Sequence, residues 1–309
     1  MSKPNPPNKH HYLPEFYLKK WAGKDERLCQ FSRPYGNTVK PRRVFPSQTA
    51  YVERLYELRG LPEHLRQTLE QDFFKALDND AAVALDQLLE FEGRVCLSNR
   101  HRSAWTFFLI SLLQRSPRDV ANAREMWEIA LKVPVPELED QYRKERNQTD
   151  PESIVELMAT ADIRYREQGF AIFFSGGIAG ELTTKLILDL DWYVLDMASS
   201  GIQLMTSDKS VLFLGPIGKP KGKVIFPLSP SRLFIEKPRS EYADLRIKRS
   251  LSQLAKWINR KVTQHCSDYC YATSDTNLLF VQKHFGQTQQ LRLTDEVLRH
   301  MREEFADHL

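Results

Sequence analysis

Trp105-Thr106-Phe107-Phe108-Leu109-Ile110-Ser111-Leu112-Leu113, the middle of a stretch from Ser98 to Ser116, is apolar nearly all round. A helix of that texture has no face to give to water, so it belongs at the centre of a helical body. Working outward, Leu65, Leu69, Phe73, Leu77, Ala81, Leu85 and Leu88 recur at three- and four-residue spacings across Leu61 to Glu92. They make the apolar stripe of one long helix, or of two with a break near Asp78-Asn79-Asp80. Pro117 stops the central helix and opens the next, which runs to about Leu131, and Val133-Pro134-Val135-Pro136 is a connector. Asp150-Pro151-Glu152 reads as the cap and first turn of a further helix. The longest uncharged apolar stretch, residues 168–180, falls short of the ~20 residues that a membrane span needs. It reads as a buried helix or helix pair.

The texture changes after Asp189. Trp192 to Leu195, Ile202 to Met205, Val211 to Leu214, Val224 to Phe226 and Arg232 to Ile235 are short β-like runs punctuated by Gly and Pro, as in an antiparallel sheet. Near the start, Arg27 to Ser32 and Thr38 to Phe45 flank the turn sequence Pro34-Tyr35-Gly36-Asn37, a hairpin signal. Helix returns over Glu241 to Gln264 and near residues 277–285 and 294–305, with a strand-like run over Tyr269 to Ala272. The fold class expected is α+β, a mainly helical body carrying a small antiparallel β-sheet. Residues 1–9 read as a disordered tail and 10–309 as a single globular domain, helical over about 50–190 and sheet-rich over about 191–275 together with the N-terminal hairpin.

Lys plus Arg number 44 against 40 Asp plus Glu, a bias too mild for a dedicated nucleic-acid coat, so an anionic partner has to be argued from local patches. The first residues lack the apolar core of a signal peptide, and Cys29, Cys96, Cys266 and Cys270 form no disulfide framework. A cytoplasmic protein with no membrane partner is the expectation. No P-loop, dinucleotide glycine fingerprint, His-Glu-x-x-His or Gly-x-Ser-x-Gly elbow is present, which removes the common nucleotide-hydrolysing and esterase mechanisms.

His10 and His11 are adjacent, so in an extended segment their side chains point to opposite faces and at most one serves a given site. Asp208 ends an apolar run at Thr206-Ser207-Asp208, where a carboxylate can cap a turn, orient a histidine or bind a cation. Arg115 leaves the apolar helix one turn after Ser111 and must find a carboxylate, Glu70 or Asp78, or an anionic ligand. Arg249, Lys256 and Arg260 form a basic stripe that tracks phosphates or simply faces solvent, with Lys219, Lys221 and Lys223 nearby. His265-Cys266 and Cys270 lack a fourth ligand at ordinary zinc spacing.

His10-His11-Tyr12-Leu13-Pro14-Glu15-Phe16-Tyr17-Leu18-Lys19, Thr206-Ser207-Asp208 and Phe226-Pro227-Leu228-Ser229-Pro230 resemble the signature stretches of a bacterial family known as a domain of unknown function, the DUF4238-type family. The resemblance spans about residues 10–275 and departs at Lys209-Ser210, where a polar residue and proline are more usual. It implies no reaction.

From the residues, the leading expectation is a phosphodiesterase or nuclease-like hydrolase acting on nucleic acid, with bacterial defence a congenial setting. One of His10 and His11 would serve as base or metal ligand, Asp208 as orienter or co-ligand, and Arg115 as the stabiliser of phosphate charge. Tyr12, Ser207, Ser111, Arg249, Lys256 and Arg260 would bind substrate, and a divalent metal such as Mg or Mn would sit on His11 and Asp208. The alternative is a non-enzymatic module binding nucleic acid or protein through the basic helix face. A third reading makes the same residues a polar core network without a ligand.

Overall fold

The computed structural model describes residues 8–215, 222–238, 250–288 and 292–306. Its strands are β1 (Lys9–His11), β2 (Leu28–Tyr35), β3 (Thr38–Val44), β4 (Tyr51–Glu53), β5 (Gly93–Arg94), β6 (Asp191–Asp196), β7 (Thr206–Ser207), β8 (Leu212–Leu214), β9 (Lys223–Ser229), β10 (Arg232–Lys237) and β11 (Cys270–Ala272). The helices before β6 are α1 (Glu15–Leu18), α2 (Glu63–Arg66), α3 (Lys75–Leu89), α4 (Asn99–Leu112), α5 (Pro117–Ala130), α6 (Pro136–Glu145), α7 (Ile154–Thr160), α8 (Ile163–Ile178) and α9 (Glu181–Leu188). After the sheets come α10 (Leu251–His265), α11 (Leu278–His284) and α12 (Leu293–Glu304).

The fold is α+β, with helix outweighing strand. The β portion is divided among separate antiparallel ladders, not gathered in the one sheet expected: β1-β4, β5-β6-β10-β9-β8 and β3-β2-β11-β7. The hairpin forms where the turn sequence places it, with Gly36 at φ +58° supplying the left-handed residue between β2 and β3. It then pairs through β2 with β11, and β11 with β7, so residues far apart in the chain share one sheet.

Central placement of α4 is borne out. Ser98 caps it by accepting from His101 N–H, and Trp105, Phe108, Leu109 and Ile110 are buried. Trp105 and Phe108 meet Phe226, and Trp105 also meets Phe234, so the helix lies against the β9-β10 face. Tyr17 of α1 is wedged into the same layer, stacked on Phe226 with centroids 4.8 Å apart, while its hydroxyl donates to the Pro227 carbonyl and meets Thr206 Oγ1. Fully burying such aromatic side chains contributes about 1.5–3 kcal/mol each. That layer fixes the N-terminal segment on the body, and with it the candidate site.

Several boundaries differ from expectation for identifiable reasons. The break in Leu61–Glu92 falls before Phe74, where a wide π-type turn (Leu69–Phe74) intervenes between α2 and α3. Asp78 and Asp80 continue through unbroken helix, Asp78 in the first turn of α3 where a carboxylate is favourable, and Arg115 and Arg100 pair with them. Ser153, not Asp150, caps α7, since the Asp150 carboxylate accepts from Asn147 N–H. Ile202–Met205 forms no strand: the chain there is held by Leu204 N–H on the Pro230 carbonyl and Met205 N–H on Asn259 Oδ1. The long C-terminal helix is seen from Leu251, preceded by a capping box at Ser250, and residues 241–249 of the expected helix lie outside those described.

Candidate acid–base cleft

The histidine pair is sorted by the two-residue period of β1. Lys9, His10 and His11 stand opposite Glu53, Val52 and Tyr51 of β4, so Lys9 and His11 share one face and His10 takes the other. His10 turns inward and is fully buried, stacked on Tyr56. Its Nδ1 accepts from Tyr56 N–H at 3.0 Å and its Nε2 faces Gln67 Oε1 at 3.4 Å, the pattern of a neutral ring protonated on Nε2. Both ring nitrogens are thereby occupied in the interior. Ala50 and Arg54 bracket β4 at φ +52° and φ +55°, left-handed conformations that cost a non-glycine residue roughly 1 kcal/mol or more each. Ala50 uses that geometry to present its carbonyl to Tyr12 N–H.

Arg115 holds the other end of this segment. The guanidinium is completely buried and carries five N–H donors, and each has an acceptor. Nε donates to the Tyr12 carbonyl at 3.1 Å, Nη1 to Asp78 Oδ1 and Ser111 Oγ, and Nη2 to Asp78 Oδ2 and the His11 carbonyl. Burial works against the charge, but Asp78 foremost, with Tyr56 and Glu70, holds the guanidinium above its ordinary value. The ion pair weighed against anion recognition is therefore formed, with Asp78 as the partner. Ser111 likewise serves Arg115 and the Phe108 carbonyl. No donor is left for a phosphate.

What this bracing presents is a cleft of about 940 Å³ lined by His11, Glu15, Glu70 and Asp78 with Lys9 and Lys75. His11 Nε2 has no hydrogen-bond partner. Glu15 Oε1, four residues on at the start of α1, lies 3.7 Å from it, beyond hydrogen-bond reach. Burial lowers the His11 pKa below its ordinary 6.5, with Glu15 opposing and a backbone hydrogen bond at Ser47 also favouring the proton. Glu70 comes from the π-type turn, a local geometry that recurs at functional sites. Its Oε2 is buried without a partner. Burial pushes this carboxyl up to about 7, with Arg115 pulling it down and Asp78 pushing it up. Burial in the cleft thus favours the neutral form of both His11 and Glu70, the forms in which a base accepts and an acid gives a proton.

Asp208 is placed elsewhere. Its carboxylate accepts from Ser267 N–H at 2.8 Å, Asp268 N–H at 2.6 Å and Tyr269 N–H at 3.2 Å, closing the turn before β11. Burial raises its pKa to about 6, with the Asp268 and Ser267 amides opposing. The N-terminal segment does reach this strand end, through Tyr12 and Tyr17: Asp208 acts, after burial, to raise the buried Tyr12 hydroxyl, and Tyr17 meets Thr206. His11 and Asp208 do not form the expected pair, since the carboxylate faces backbone amides and is not among the residues lining the cleft. Ser207 is buried, its Oγ accepting from Lys209 N–H. Among the described residues no group of three or more His, Cys, Asp or Glu side chains is arranged to hold a metal ion. Lys256 and Arg260 are exposed on α10, opposite its buried Leu254, Ala255, Ile258 and Val262, and Arg249 lies outside the described residues. The residue that sequence reasoning undervalued is Glu70, considered only as a partner for Arg115; its distance along the chain from His11 hides their shared cleft.

No helix among the described residues is long and apolar enough to cross a membrane. No curated protein and no solved structure matches the chain. A family model described as "Protein of unknown function (DUF4238)" matches residues 9–276, a span that takes in the braced N-terminal histidines, the cleft and the Asp208 turn. The chain belongs to that family.

Proposed function

We propose that the cleft is the active site of a phosphodiester-cleaving enzyme acting on nucleic acid, with His11 as general base and Glu70 as general acid. The observation that carries this reading is that one cleft holds two buried polar atoms without partners, His11 Nε2 and Glu70 Oε2; burial moves His11 down and Glu70 up to about 7, in keeping with those roles. A neutral imidazole takes the proton of the nucleophile, an RNA 2′-hydroxyl or a water, as its oxygen bonds to phosphorus, and a protonated carboxyl gives its proton to the leaving oxygen as that P–O bond breaks. A rotation of Glu15, which is partly exposed, opens Nε2 to the cleft. Lys9 and Lys75 supply positive charge at the cleft for a phosphate, while Arg115 acts as the brace that fixes the His11 main chain. Arg115 is thus a positioning residue here. The reading also moves the second catalytic role from Asp208 to Glu70.

Cleavage of single-stranded RNA, single-stranded DNA and duplex DNA, followed from about pH 5 to about pH 9 with chelator, Mg²⁺ or Mn²⁺, tests this. The expected result is activity that survives chelation, with a bell-shaped profile whose acidic limb belongs to His11 and whose basic limb lies near 7. No cleavage of any of these substrates under any condition would overturn it. Salt-sensitive binding surviving that outcome would favour the second reading, a nucleic-acid-binding module, for which the exposed Lys256 and Arg260 are the motivation.

A further inference from the structure

We propose that the exposed face of the β2–β3 hairpin, carrying Lys40 and Arg42, together with Tyr269 and Tyr51 between it and the cleft, is a binding track for single-stranded nucleic acid. It shares the substrate class of the function proposed above but needs no catalysis.

The chain from Arg27 to Val52 contains Arg27, Arg33, Lys40, Arg42 and Arg43 and not one Asp or Glu. The fold sorts these cations. Arg43 donates to Asp25 and to the Thr273 carbonyl, and Arg33 to the Phe285 carbonyl, so both are engaged on the protein itself. Lys40 and Arg42 are exposed and two residues apart on β3, hence on one face. Ladder register carries that face across the sheet: Arg42 stands opposite Gln30 and Gln30 opposite Tyr271, while Lys40 stands opposite Ser32, on the Tyr269 side. The rings of Tyr269 and Tyr271 are 6.1 Å apart on this face.

Towards the cleft the same face is covered by the segment that carries β4. Thr49 Oγ1 joins Gln30 and Tyr271, and Tyr51 follows, close enough to act on the Tyr269 hydroxyl. Tyr51 in turn packs on the His11 ring at 5.5 Å and lies under the Lys9 ammonium at 4.5 Å. Lys9 and His11 line the cleft, as do Ser47 and Gln48, which follow β3 directly. Cations interleaved with partly exposed tyrosines therefore run from the hairpin to the cleft mouth. That pattern suits a single strand: the backbone meets the cations and unstacked bases meet the rings, whereas a duplex keeps its base faces covered.

Equilibrium binding of a labelled single-stranded oligouridine of about 20 nucleotides to the full-length protein, measured over a range of salt, reads the track directly. Lys40→Ala with Arg42→Ala should weaken binding about tenfold near physiological salt and reduce the log–log salt slope by about 1.4, the share of two phosphate contacts on a single strand. Tyr269→Leu should weaken binding while leaving the slope unchanged, and Asp268→Asn, which removes an exposed carboxylate beside the track, should tighten it. Lys256→Ala with Arg260→Ala on α10 should change affinity less than about twofold. Wild-type affinity in the hairpin variant, loss in the α10 variant instead, or equal affinity for duplex DNA would overturn the proposal. Hairpin-dependent binding without any cleavage would remove only the catalytic reading. Cleavage with hairpin-independent binding would remove only this one.

Discussion

The His11 cleft and the Asp208 turn each set chemically capable side chains beside the N-terminal segment, yet they use their polar atoms in opposite ways. At the turn, three backbone amides engage the Asp208 carboxylate. In the cleft, His11 Nε2 and Glu70 Oε2 are without partners while Arg115 behind them has five. An unpartnered buried polar atom costs roughly 1–3 kcal/mol, so a fold that retains two beside an open cleft is carrying a cost that satisfied residues do not. Residue type alone makes Asp208 and Arg115 look catalytic; the disposition of their hydrogen bonds makes them struts.

That contrast breaks first at Arg115. Arg115→Ala should destabilise the protein by about 3–5 kcal/mol, because it strands Asp78 and the carbonyls of His11 and Tyr12. A denaturant titration showing a loss below about 1 kcal/mol would contradict the strut assignment.

Glu70 offers a test of the other kind. Its folded pKa of about 7 lies above the ordinary 4.5, so the folded state holds a proton that the unfolded state has released. The stability this gives is full below about pH 4.5 and is lost as pH rises through 7. Glu70→Gln should therefore be nearly neutral at about pH 4 and stabilising by up to about 3 kcal/mol at about pH 8, each pH unit between the two values being worth about 1.4 kcal/mol. Melts at the two pH values check the sign, and a variant less stable at high pH would show that Glu70 has a partner. Smaller still, Asp208→Asn should cost about 1–3 kcal/mol, since an amide nitrogen cannot accept from the turn's N–H groups.

Elements signalled by local pattern were legible in the chain: the all-round apolar α4, the Gly36 hairpin and the apolar face of α10 each carry their signal within a few residues, whereas the Ser250 cap of α10 went unread. The opposite facing of His10 and His11 was legible too, because it follows from strand period alone. The Arg115–Asp78 pair was one of two partners that burial of a guanidinium demanded. The rest depends on contacts that local pattern does not encode. Asp208 meets amides 59 to 61 residues away. The β1–β4 pairing rests on two three-residue strands. Glu70 owes its raised pKa to burial on a π-type turn where periodicity predicts plain helix.

The most direct measurement sets His11→Gln beside Asp208→Asn, each assayed for cleavage of single-stranded RNA at a temperature where both are folded, with melting followed on the same samples. His11→Gln should lower the cleavage rate by about 10²–10⁴-fold with an unchanged melt, while Asp208→Asn should keep its cleavage and melt earlier. Full cleavage by His11→Gln, with a folded Asp208→Asn that has lost it, would rule out His11 as the base and return the chemistry to the turn.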